Sequence, residues 1–252
     1  MEGKVSFSAL LYFAMFGVRT AADIENGDFM QECVSTHNRY RSEVVPPASN
    51  MLYMSWDRIL AEAALSWSKK CRFAHNSDLK RNWKLHPTFK TIGENIFVKT
   101  GSTLNVPAAI KMWYDEVKHY GYDSQTCSAV CGHYTQLVWA SSYKVGCAAQ
   151  TCPQGITDFS SAPSIIFICD YGPPGNYPTP PYLRGKECSM CPKDWCENKL
   201  CRNDTRDKTS DSNSACNNYC IAVLVIRPLS LIIIVGGVYL VQQKYTNMFA
   251  YM

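Results

Sequence analysis

Two long apolar runs bracket the chain, and between them hydrophobic positions recur first at helical and then at strand spacing. From Glu25 to Val44 the residues Phe29, Met30, Cys33, Val34 and Tyr40 return at the period of a helix that Pro46-Pro47 ends. A second helix is predicted from about Trp56 to Lys70, with Ser55 as N-cap and Ile59, Ala63 and Trp67 on one face. A third starts near Pro107, behind the capping residue Asn105, and would bury Ile110, Trp113 and Val117. Strand signals follow at Ile96 to Lys99, Lys144 to Gln150 and Ser164 to Tyr171, the last apolar enough to be covered on both faces. His133 to Trp139 is too short for its period to separate helix from strand. Helices followed by strands predict an α+β or layered domain ending near Tyr177.

The bracketing runs place this domain outside the cytosol. Val5 to Val18 carries no charge, lies between Lys4 and the small residues Thr20 to Ala22, and reads as a signal peptide cut after Ala22. Ile221 to Val241 reaches roughly 31 Å as a helix, long enough to span a bilayer, with Arg227 near enough to one end to snorkel. A lipid anchor attached near Ser212 to Ser214 is the rival reading. The predicted order is signal peptide 1–22, domain 23–177, Pro-rich linker and cysteine segment 178–201, polar stalk 202–220, membrane segment 221–241 and cytoplasmic tail 242–252. This order describes a single-pass plasma-membrane protein with an extracellular N-terminal domain.

Thirteen cysteines support an oxidising compartment and, being odd in number, leave at least one thiol unpaired within the chain. Cys188, Cys191, Cys196 and Cys201 crowd a segment with too little apolar material to fold by burial alone, so two disulfides are expected there rather than a zinc knuckle. Asn203-Asp204-Thr205 is a glycosylation sequon placed where the stalk should be exposed. A net charge of +4 gives no reason to expect nucleic acid as a partner.

Five histidines, at 37, 75, 86, 119 and 133, show no metal-pair spacing on one helix. Four clusters mix polar and apolar residues: His37-Asn38-Arg39-Tyr40-Arg41, Gly93-Glu94-Asn95-Ile96, Gly132-His133-Tyr134-Thr135-Gln136-Leu137-Val138-Trp139, and Cys169-Asp170-Tyr171 continuing to Gly175-Asn176-Tyr177. In this order they resemble the signatures of the CAP superfamily of cysteine-rich secretory, antigen-5 and pathogenesis-related-1 proteins. With the cysteine segment, which resembles that family's hinge, and the terminal apolar run, the chain is most similar to the glioma pathogenesis-related branch.

The resemblance implies a three-layer α-β-α sandwich in which His133 to Trp139 is a short helix. It implies a cleft of His75, Glu94, Glu116 and His133, with the two imidazoles able to bind zinc or another divalent cation weakly. The carboxylates would reach the metal through water or hold each ring; a purely structural His–Glu network is the alternative. It implies disulfides Cys71–Cys152, Cys127–Cys131 and Cys147–Cys169, with Cys188–Cys196 and Cys191–Cys201 in the hinge and Cys33 left over. Cys216 and Cys220 are open between a bridge, a link to a second chain and, at Cys220, a palmitoyl group.

The function implied is an extracellular binding module for a protein or lipid ligand; a metal-dependent hydrolase, plausibly a protease, is the alternative. His37 to Arg41 should anchor the first helix by hydrogen bonds, and His86 and His119 carry no signal beyond surface residues. One departure stands out, because the family usually has Asn where this chain has Asp170. That change should alter local hydrogen bonding without altering the cleft.

Overall fold

The computed structural model describes residues 26–209 apart from 192, and beyond them only isolated positions between 230 and 244. The signal peptide, residues 210–220 with Cys216 and Cys220, the tail beyond residue 244 and most of the 221–241 run lie outside the described residues. Among those described, no helix is long and apolar enough to cross a membrane. The fold belongs to the unit that ends at Ser210.

Its elements are α1 (Gly27–Ser42), β1 (Ser55–Trp56), α2 (Arg58–Ser68), β2 (Gly93–Thr100), α3 (Val106–Tyr114), a 3-10 turn (Asp115–His119), β3 (Tyr120–Gly121), β4 (Thr126–Cys127), α4 (Gly132–Leu137), β5 (Lys144–Cys152), β6 (Ser164–Gly172), β7 (Trp195–Glu197) and β8 (Leu200–Arg202). The main sheet has the order β1-β5-β6-β2, with β1 parallel to β5 and the other pairs antiparallel. Every residue of β6 is buried, as its apolar run predicted. The alternation of side chains separates two cores. On one face Ile96, Ala148, Ile166 and Ile168 pack with Ala64 and Trp67 of α2. On the other, Cys147, Phe167, Cys169 and Tyr171 pack with Cys33 and Tyr40 of α1, Ile110 and Trp113 of α3, and Tyr134 and Leu137 of α4. This is the α-β-α layering that the resemblance implied. A Cβ at Gly146 would lie 2.1 Å from Ala61 N, so this strand position lets the α2 backbone press onto the sheet.

Several local expectations change. Ser55 belongs to β1, and α2 is capped by Asp57, whose Oδ1 accepts from Ile59 N at 2.9 Å and Leu60 N at 3.1 Å. The buried face of α2 turns accordingly: Leu60, Ala61 and Ala64 are fully buried, while Ile59 is exposed. The third helix stops at Tyr114 and tightens into the 3-10 turn that carries Glu116, so Val117 is only half-buried. His86 is buried rather than a surface residue: its Nδ1 accepts from Thr88 N and Phe89 N, and Nε2 lies 3.4 Å from Asp57 Oδ1. The 178–201 stretch is pinned to residues 47–53 by Gly185 N to Pro47 O, Met190 N to Ser49 O and Tyr53 N to Cys201 O.

Nor is the chain free between Arg202 and Lys208. Arg206 bonds Asp194, Asp207 and Cys201 O, and Lys144 Nζ donates to Lys208 O. The sequon residue Asn203 is half-buried in this turn, with Nδ2 donating to Asp194 Oδ1 at 3.0 Å. Of the stalk expected over 202–220, the described part, 202–209, is bonded by side chains to the hinge, and the rest lies outside the described residues. All five expected disulfides are formed, and Cys33 is a buried free thiol.

Candidate metal cleft

Two histidine–carboxylate pairs flank the start of edge strand β2. His75 follows α2, and its Nδ1–H donates to Glu94 Oε1 at 2.8 Å; the same oxygen accepts from Asn76 N at 3.0 Å. The Glu94 side chain is wholly buried while that of His75 is 63% exposed. The hydrogen bond to Glu94 raises the pKa of His75 above its ordinary value, although partial burial opposes it.

His133 opens α4, and its Nδ1–H donates to Glu116 Oε1 at 2.6 Å. Glu116 Oε2 accepts from the backbone amides of His133 and Tyr134 at 3.0 and 3.2 Å, so one carboxylate orients the ring and satisfies the first amides of the helix. The His133 ring stacks on Trp113 at 6.3 Å, and Trp113 stacks on Phe167 at 5.4 Å. Glu116 also lines a cavity of about 360 Å³ with Met112, His119 and Val130.

Adjacent residues of β2 tie the two pairs to one strand. Glu94 holds His75, and Asn95 Nδ2 donates to His133 O at 3.0 Å and to the Tyr171 hydroxyl at 3.2 Å. The Tyr171 hydroxyl donates to His37 Nε2 at 2.9 Å, whose Nδ1–H donates to Cys33 O at 2.7 Å. Burial lowers the pKa of His37 to about 4, so this ring is neutral and structural. Gly93 lies so close to Gln136 that a Cβ would meet its Oε1 at 2.1 Å, which brings α4 against the strand.

Arg41 fixes the segment after α4. Its fully buried guanidinium donates to the carbonyls of Leu52, Leu137, Trp139, Ala140 and Ser142. Burial draws its pKa down to about 9, so it stays protonated at neutrality. The expected anchoring role of His37 to Arg41 is therefore visible bond by bond. The sequence signal for burial was the spacing Cys33, His37, Arg41, one helical face four residues apart.

With each Nδ1 committed to a carboxylate, Nε2 is the ring nitrogen left for a ligand, and two imidazoles alone make an incomplete set. Among the described residues, no three His, Cys, Asp or Glu side chains converge to hold an ion.

The family pattern of the cysteine-rich secretory proteins (CAP) matches residues 34–171. The chain belongs to this family. It is 46% identical over 243 residues to glioma pathogenesis-related protein 1 of Mus musculus, covering 92% of this chain and 91% of that protein. It is 50% identical over 190 residues to GLIPR1-like protein 1 of Bos taurus, covering 75% of this chain and 77% of that one. Among solved structures it is similar to NaASP2 with Zn2+, at TM-score 0.56 and 25% identity over 74% of this chain and 99% of that one. It is also similar to Na-ASP-1, at TM-score 0.55 and 27% identity over 69% of this chain and 46% of that one.

Proposed function

We infer that this chain is an extracellular CAP-domain binding module whose cleft holds a divalent cation weakly through His75 and His133. The observation that carries the reading is the shared construction of the two pairs, each presenting an imidazole whose Nδ1–H is fixed on Glu94 or Glu116. Such bonding sets the tautomer that leaves Nε2 basic. A bound cation would supply a positive point to which an anionic or carbonyl ligand could attach. The solved relative NaASP2, crystallised with Zn2+, supports the metal. Five disulfides support an oxidising, extracellular setting, and the apolar run 221–241 supports anchorage by a single membrane segment.

Zinc titration of the full chain against His75→Ala with His133→Ala tests the reading. The double substitution is expected to weaken zinc binding by at least about tenfold, and unchanged affinity would remove the metal assignment.

A further inference from the structure

The antiparallel register of β2 and β6 sets Glu94 directly opposite Asp170, and Gly146 of β5 lies opposite Asp170 on its other side. Directly paired residues on one sheet face have Cβ atoms about 4.5–5.5 Å apart. By alternation this is the face covered by α2. Asp170 is completely buried and neither of its carboxyl oxygens has a hydrogen-bond partner; Glu94 Oε2 is buried and equally unpartnered. Three orphan oxygens of two acids thus share one buried position, immediately behind the carboxylate that holds His75.

Two carboxylates so placed cannot both stay ionised, because each would be a desolvated charge facing its like. Two remedies exist, a proton or a cation. A hard cation such as calcium takes six to eight oxygens, and the pair offers three. One proton on Asp170 needs only one acceptor, and Glu94 Oε2 is that acceptor. We propose that Asp170 is a positioning residue, held as the neutral acid and donating an O–H bond to Glu94 Oε2, so that Glu94 remains the carboxylate that orients His75.

Burial first, and the Glu94 charge second, both raise the pKa of Asp170, in keeping with this assignment. Among the described residues Glu94 is the charged group that bears on it, and the buried Asp57–His86 pair sits at the N-terminus of α2, whose backbone meets Gly146. Gly146 brings no side chain from β5, and the fully buried residues of α2 are Leu60, Ala61, Ala64 and Ser68, the last with its hydroxyl donating to Leu65 O. Arg58 and Glu62 pair with each other in solvent, and Tyr171 alternates to the opposite face of the sheet. An amide at this position could donate at every pH, whereas the acid loses its donor by titration.

The inference rests on Glu94 as the orienting group of the cleft, and its test does not use zinc. Thermal unfolding of the full-length wild type, Asp170→Asn and Asp170→Ala is compared as pH rises. A group whose native pKa lies above its unfolded value gives stability that is fully present below about pH 4 and is lost as pH climbs toward the native pKa. Asp170→Asn keeps an N–H donor at every pH, so its melting temperature should gain on the wild type as pH rises. The raised His75 titration, read by NMR, should persist in Asp170→Asn and fall toward the ordinary value in Asp170→Ala. A melting difference that stays flat with pH would overturn the proposal, and so would a chelator that destabilises the wild type but not Asp170→Asn. A pH-dependent difference alongside zinc binding that ignores both histidines would retain this bond and reject the metal reading.

Discussion

The two halves of the cleft use the same chemical pair in opposite settings. At His75 the acid is buried and the ring lies in solvent; at His133 the ring is stacked on Trp113 and the acid is shared with the backbone of α4. One half therefore depends on what lies behind its carboxylate, and the other on what lies around its ring. The difference shows that a histidine can be oriented from either partner. Substitutions should accordingly damage the halves by different routes.

The largest effect should come from Arg41→Met, which leaves buried carbonyls on the segment after α4 without their donor. A loss of about 3 kcal/mol or more is expected by chemical denaturation, with the His133 NMR environment broadened before that of His75. Trp113→Leu should follow at about 2–3 kcal/mol, through lost packing on Phe167, and should free the His133 ring while leaving His75 in place.

Glu116→Gln removes a carboxylate that accepts three hydrogen bonds and should cost about 1–2 kcal/mol. Glu94→Gln should cost less, because its new amide can donate to Asp170. Equal losses in these two variants would break the comparison. Smallest is the titration of His75 itself. Its native pKa is raised, so its pairing stabilises the fold below about pH 6.5 and that contribution fades as pH rises through the native value. The ring is mostly in solvent, so the amplitude should stay below about 1 kcal/mol. Unfolding of His75→Gln and wild type across that range measures it.

Much of this arrangement was legible in the sequence. Apolar period located α1, α2, α3 and the strands β2, β5 and β6, because these elements bury one stripe or a continuous run. The family signatures carried His75, Glu94, Glu116 and His133, which spacing alone could not have selected since no two lie on one element. What sequence missed were effects of tertiary bonding. Asp57 displaced Ser55 as the cap because β1 already claims Ser55 for pairing with Lys144. His86 looked like a surface residue until the loop after α2 folded it against Asp57 and Phe89. Residues 202–208 looked like a stalk because their partners, Asp194 and Cys201 O, are set by the hinge disulfides rather than by local pattern. Asp170 stands out in the sequence as a departure, but only the strand register places it opposite Glu94.

Under the proposed function both differently built halves serve one cation. X-ray absorption at the zinc edge of the zinc-loaded full chain tests it most directly. Two imidazole nitrogens at about 2.0–2.1 Å, falling to one in either single alanine variant of His75 or His133, is the predicted result. A spectrum without imidazole, or one unchanged by either substitution, would contradict it.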